Sequence, residues 1–317
     1  MVADKLLNPK LLNLKPIYAV PTAFFFVLLG FMSAIVIFPS QVSIVMVAFS
    51  SLLVLPYVMK IFDFDELDVS IEGSDKGELE QWVGKCLRDG YTPKQIKDSL
   101  IKDNIDKAYS LIYDLALVDE LTLQHVKASN PISRHKKTIG LYAYMFVGMF
   151  LAYAVLYNVI PTSLKAQVFS NQMDFVQPGS SGYLEKDVIF QRIAANNLLI
   201  ILICVFLSLI YGSGAIFILN YNASIAGVLF GGSVSSLLGG GTGFLLNPLL
   251  FVPHTVIEIL AYLIAAISGA ILSKAVARVL TGNPKILVKD GLIYLALSVL
   301  LIVAGAALEA NVLSSAA

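Results

Sequence analysis

The chain is poor in charge, cysteine and histidine, and each shortage removes a class of protein. Asp, Glu, Lys and Arg make up 14% of its 317 residues, where a soluble domain carries about 25%. Basic and acidic residues balance at 22 each, so no basic field exists to hold nucleic acid. The two cysteines stand apart, Cys86 in a polar segment and Cys204 inside an apolar run, and neither has a metal-ligand neighbour at the usual spacing. The three histidines are too few and too scattered for a zincin, which needs two at i, i+4 with a glutamate between them and a third ligand. The glycine run Gly239–Gly243 lacks the lysine of a phosphate-binding loop. No catalytic residue, metal or cofactor is expected.

What is abundant is apolar sequence: 57% of the residues are hydrophobic and the mean hydropathy is +0.78. A membrane helix needs about 20 mainly apolar residues. Seven stretches meet that requirement: 17–38, 42–59, 139–160, 196–219, 223–238, 250–272 and 286–308. The reading is an all-α, polytopic helical membrane protein with about seven spans. It divides into a two-span hairpin (1–60), a cytoplasmic helical domain (61–137) and a five-span membrane domain (138–317) with an outer loop at 161–195. The first span is read as a retained anchor, because no small-residue cleavage site follows it.

Basic residues set the orientation. With the N-terminus inside, 19 of the 22 Lys and Arg face the cytoplasm, and only Lys165, Lys186 and Arg192 lie outside. The C-terminus then falls outside.

In the cytoplasmic segment, apolar Leu79, Trp82, Val83, Cys86 and Leu87 recur at helical spacing, and Gly90 stands where a helix-ending glycine belongs. Thr92-Pro93 opens a second helix as N-cap and N1. A third helix is expected over 105–126. Asp63, Asp65, Glu66 and Asp68 lack the glycine and closing glutamate of a calcium loop and read as a solvated acidic patch. In the outer loop, 177–182 reads as a flexible turn, and 184–194 as a short amphipathic helix along the interface.

Two spans carry small residues at every fourth position. The fifth has Ala223, Gly227, Gly231 and Ser235; the sixth has Ala261, Ala265 and Gly269. Such faces let helix backbones approach closely in lipid. The expectation is that the two stripes pack on each other, with a homodimer seam as the alternative use.

The sixth span also holds His254 and Glu258, four apart and therefore on one helix face. Glu258 reads as the only acid placed inside a span. Three roles stand open: a polar latch with Asn196, Asn197 or Asn222; an ion or proton site; or a catalytic pair.

From about residue 138 to 308, the order of these features resembles the stage II sporulation protein M family of the archaeal type. Phe169-Ser170-Asn171-Gln172 leads to Asn196-Asn197, Gly212 falls mid-helix, and Asn222 precedes Gly227. Pro253, His254 and Glu258 follow, with Ala261 behind them. Thr255 and Ala223 replace glycines that the family usually has. The resemblance implies a membrane organiser that localises a wall-degrading complex without being a hydrolase itself. The function expected on these grounds is a non-catalytic scaffold. Its partners would be membrane lipid, and proteins bound through the cytoplasmic domain and the outer loop. The alternative is a transporter or channel for a small solute, ion or proton that uses His254 and Glu258.

Overall fold

The computed structural model describes residues 16–63, 76–88, 91, 93–103, 130–176, 186–211, 214–238, 243–278 and 285–316. A single 3-10 turn, Pro16–Tyr18, leads into α1 (Ala19–Ile37) and then α2 (Val42–Asp63). The segment beyond holds α3 (Lys76–Arg88) and α4 (Pro93–Asp103). After a helical turn at Pro131–Arg134 come α5 (Lys136–Val159) and two short helices, α6 (Thr162–Val168) and α7 (Ser170–Val176). Three long helices and a fourth close the chain: α8 (Lys186–Tyr211), α9 (Ile216–Leu238), α10 (Gly243–Arg278) and α11 (Lys285–Ala316).

Six of these helices are long and apolar enough to cross a membrane; the apolar part of α2, Val42–Pro56, is shorter. All backbone bonds of a helix close internally, which is what hydrocarbon demands of a spanning segment. The outward surface fits the same solvent. Leu199, Leu202 and Phe206 of α8 are well exposed along one face, as are Ile293, Leu297 and Leu300 of α11. The protein is a multi-pass all-α membrane protein.

The bundle has two parts. Helices α1, α2, α5 and α9 pack together, and α8, α10 and α11 pack together, with α10 touching α9 and α5 to join them. Glycines set the closest approaches. A Cβ on Gly30 of α1 would lie 2.7 Å from the Ser50 amide nitrogen of α2, and one on Gly148 of α5 would strike the Val20 carbonyl of α1. The turns at 38–41 and 160–162 lie at one end, here called the loop end; Pro16, His135 and Lys285 lie at the other.

Three boundaries differ from the sequence reading. The fourth span does not run from 196 to 219. The chain instead breaks after Tyr211 and restarts at Ile216. A Cβ on Gly214 would collide with the Leu207 carbonyl, and the Ala215 amide donates to Ser208 Oγ at 3.3 Å, so glycine makes this tight reversal. Asn220 and Asn222 sit inside α9. The interfacial helix expected over 184–194 is not separate: it is the first part of α8.

The glycines of the two small-residue stripes pack on other helices, not on each other. Gly227 and Gly231 of α9 face α5, where added Cβ atoms would lie 2.7 Å from the Phe150 and 2.9 Å from the Ala154 carbonyls. Gly269 of α10 faces α8 instead, 2.5 Å from Ser208 Cβ. Ala261 and Ala265 are fully buried and Ser235 is half-buried. A small-residue stripe declares that something comes close; it does not identify the partner. Both glycine faces are filled from within the chain.

In the segment outside the bundle, α3 and α4 form as expected and bury Val83, Cys86, Leu87 and Ile96. The Tyr91 amide donates to the Cys86 carbonyl at 2.9 Å, the outer bond of a Schellman helix end. Gly90, the third helix at 105–126, the acidic residues past Asp63 and the turn at 177–182 lie outside the described residues. Neither Cys86 nor Cys204 forms a disulfide, and both are buried.

Candidate functional site

Glu258 projects from α10 toward α8 and α11. Its Oε1 accepts a hydrogen bond from Asn197 Nδ2 at 2.6 Å. The other end of that amide, Asn197 Oδ1, accepts from the Tyr262 hydroxyl at 2.8 Å. The Asn197 side chain is thereby fixed at both ends, and it is nearly buried. Glu258 also packs against α11, the helix that carries Glu309. Gly305, one turn before Glu309, makes room: a Cβ there would come within 3.2 Å of Glu258 Cγ. Both glutamates are half-buried.

Glu309 and Asp290 correct the reading that Glu258 alone among the acids sits inside a span. Both belong to α11, within the apolar stretch Leu287–Ser314. Glu309 fell one residue past the expected end of the last span. Asp290 is fully buried at the opposite end, where His135 Nε2 lies 3.0 Å from its Oδ2. The His135 ring also stands edge-on to Tyr294.

The five polar residues singled out in sequence separate in space. Asn197 and Glu258 meet. His254 is buried one turn before Glu258 on α10, while the Glu258 carboxylate accepts from Asn197. Asn196 is exposed and donates to Asn197 Oδ1 at 3.4 Å. Asn222 donates to the Ile218 carbonyl of its own helix at 2.9 Å.

The strongest polar cluster was not legible. Asn220 of α9 is fully buried. Its Nδ2 reaches the Val47 carbonyl at 3.0 Å, Ser50 Oγ at 2.7 Å and Ser51 Oγ at 2.9 Å, all on α2. Its Oδ1 accepts from the Tyr153 hydroxyl of α5 at 3.1 Å. One amide thus ties three helices. Sequence offered a signal, an asparagine deep in an apolar run, but it took the residue for the end of a span.

A second tie holds the loop end. Gln172 of α7 is fully buried. Its Oε1 accepts from Ser43 Oγ of α2 at 2.6 Å, and its Nε2 donates to Ser224 Oγ of α9 at 3.0 Å. The Asn171 amide donates to Ser43 Oγ at 3.1 Å, and Gln167 Nε2 donates to the Pro39 carbonyl. Lys165 lies over the Tyr157 ring, 4.4 Å from its centroid. Helices α6 and α7 are fastened to the bundle along their length. No group of three or more His, Cys, Asp or Glu that would hold a metal ion occurs among the described residues.

A profile of the family described as stage II sporulation protein M matches residues 141–313, more than half of the chain. The chain belongs to that family. The matched region contains α6 to α10 and nearly all of α5 and α11, including Asn197, Asn220, Glu258 and Glu309. The hairpin α1–α2 lies outside it. No curated protein and no solved structure matches the chain.

Proposed function

We propose that this member of the stage II sporulation protein M family is a non-catalytic organiser of the cell membrane that holds partner proteins at two fixed surfaces. One is the segment of α6 and α7, on the outer side. The other is the α3–α4 pair, in the cytoplasm with the N-terminus. The observation that carries the reading is the clamp at Gln172, whose amide is bonded at both ends to helices far apart in the chain. A gate for solute must release such contacts when it opens. A platform keeps them and presents a constant face.

Two further features support it. The Asn220 cluster locks α2, α5 and α9 together through internal partners. The basic residues leave the sparsely charged side, with Lys165, Lys186 and Arg192, outside the cell. A scaffold of this design takes lipid around its apolar belt and protein at its ends.

A second reading is favoured by one observation: acids inside membrane spans are costly and mark ion or proton routes, and Glu258 and Glu309 both lie inside spans. Under that reading the protein moves an ion, a proton or a small solute.

Photo-crosslinking from the exposed positions Ser163 and Lys85, in native membranes, separates the two. Discrete protein adducts at either position are expected. Adducts to lipid alone at both, together with solute or ion flux above protein-free vesicles in reconstitution, would replace the organiser by a transporter.

A further inference from the structure

His135 and Asp290 meet at the end of the bundle opposite the loop end. His135 Nε2 lies 3.0 Å from Asp290 Oδ2, across 155 positions of chain. Asp290 is fully buried within the apolar stretch Leu287–Ser314 of α11. A carboxylate there is costly unless a positive group answers it. The imidazole of His135, also buried, is such a group once it carries its second proton. The Tyr294 ring, one turn along α11, stands edge-on to it.

The place of His135 in the chain makes its charge matter. It is the N-cap of α5, yet its side chain makes no capping bond and turns to α11 instead. Its amide donates to the Pro131 carbonyl at 3.2 Å, and its carbonyl accepts from the Ile139 amide at 2.9 Å. The chain that returns from the α3–α4 segment therefore enters the bundle through the backbone of this residue, and the side chain of the same residue fastens it to α11. The amide dipoles at a helix N-terminus disfavour a cation, whereas Asp290 favours one. Asp290 and Tyr294 face the ring from α11, whose Lys285 and Lys289 are exposed. Lys136 is exposed on α5, and Arg134 and Lys137 flank the ring in sequence. From α10, Ser268 donates to the Gly291 carbonyl at 2.8 Å and Leu272 packs on Gly291; from the N-terminal turn, Pro16 lies against Gly140. None of these three residues carries a charge.

We propose that the His135–Asp290 pair is a proton-operated latch that holds the returning end of the α3–α4 segment to the membrane domain. With His135 protonated, the two groups form an ion pair and the latch is closed. As pH rises through the range in which imidazoles titrate, about pH 5 to 8, the ring becomes neutral, Asp290 is left as an uncompensated buried charge, and the joint loosens. Strong acid opens it too, by protonating Asp290. The latch goes beyond the organiser reading and does not depend on it: motion at the joint and partner binding are read by different measurements.

A spin label on Ile132→Cys, an exposed position in the turn Pro131–Arg134, tests it on the full chain in lipid nanodiscs. Unsubstituted protein treated in parallel is the blank for Cys86 and Cys204. Label motion should be slow at about pH 6 and several-fold faster at about pH 8. His135→Gln can donate to Asp290 but cannot gain a proton, so it should flatten the profile. Asp290→Asn removes the charge that the ring answers and should flatten it as well; it carries the test if His135→Gln does not fold. Label motion that stays constant over that range with His135 and Asp290 in place overturns the latch, and that measurement depends on neither variant. A pH profile kept in full by either variant overturns it too.

Discussion

Asn220 of α9 and Ser50 of α2 stand 170 positions apart in the chain, and their side chains meet at 2.7 Å. The contact joins the hairpin to the region that the family profile covers. The hairpin is therefore packed into the same core: Met46, Val47 and Val54 of α2 are buried together with Tyr153 and Leu219. A polar tie inside an apolar core fixes register, because sliding the helix by one turn would strand every group in it.

The two asparagines of α9 should behave differently. Asn220→Ala removes one donor group and one acceptor from a closed cluster and leaves Ser50, Ser51 and Tyr153 short of partners. A loss of roughly 1–3 kcal/mol is expected. Asn222→Ala gives up only a bond to its own helix, and a change within about 0.5 kcal/mol is expected. Thermal unfolding of the two variants in detergent, followed by gel filtration, checks the contrast. Equal losses would show that the cluster does not govern stability.

Glycine faces make the second prediction. Gly227→Leu forces α9 away from the Phe150 carbonyl of α5, and overpacking of this kind costs about 1–3 kcal/mol. The melting temperature should fall while the oligomeric state stays as in the wild type, because the face is filled from within the chain. A change of oligomeric state without loss of stability would return the glycines to a dimer seam.

Gln172→Ala cuts the tie between α7 and both Ser43 and Ser224. Faster amide exchange is expected across 162–176, with the spans unaffected. If exchange in that segment is already fast in the wild type, it is not a fixed platform.

Sidedness has a direct check. Cysteine at exposed Ser163 should react with an impermeant reagent added to intact cells, and cysteine at exposed Lys85 should not. Cys86 is a poor reporter, since it is buried on either side of the membrane. Reaction at Lys85→Cys but not at Ser163→Cys would reverse the orientation.

The sequence by itself determined the solvent and the class of fold. Apolar runs of about 20 residues admit helices and little else in hydrocarbon. Local chemistry also placed α3 and α4, because helix caps and apolar spacing act within a few residues. Spacing of four put His254 and Glu258 on one face, and that too is a property of a single helix. Which helix each face meets was decided only in three dimensions. Gly227 of α9 and Gly269 of α10 sit on stripes that look alike in sequence, yet one meets α5 and the other meets α8. Glu258 takes Asn197, 61 positions away, and Asn220 takes Ser50, 170 positions away. Periodicity describes how one helix divides its surface; partnership depends on the rotation and depth of two, and those are set jointly by every contact in the bundle.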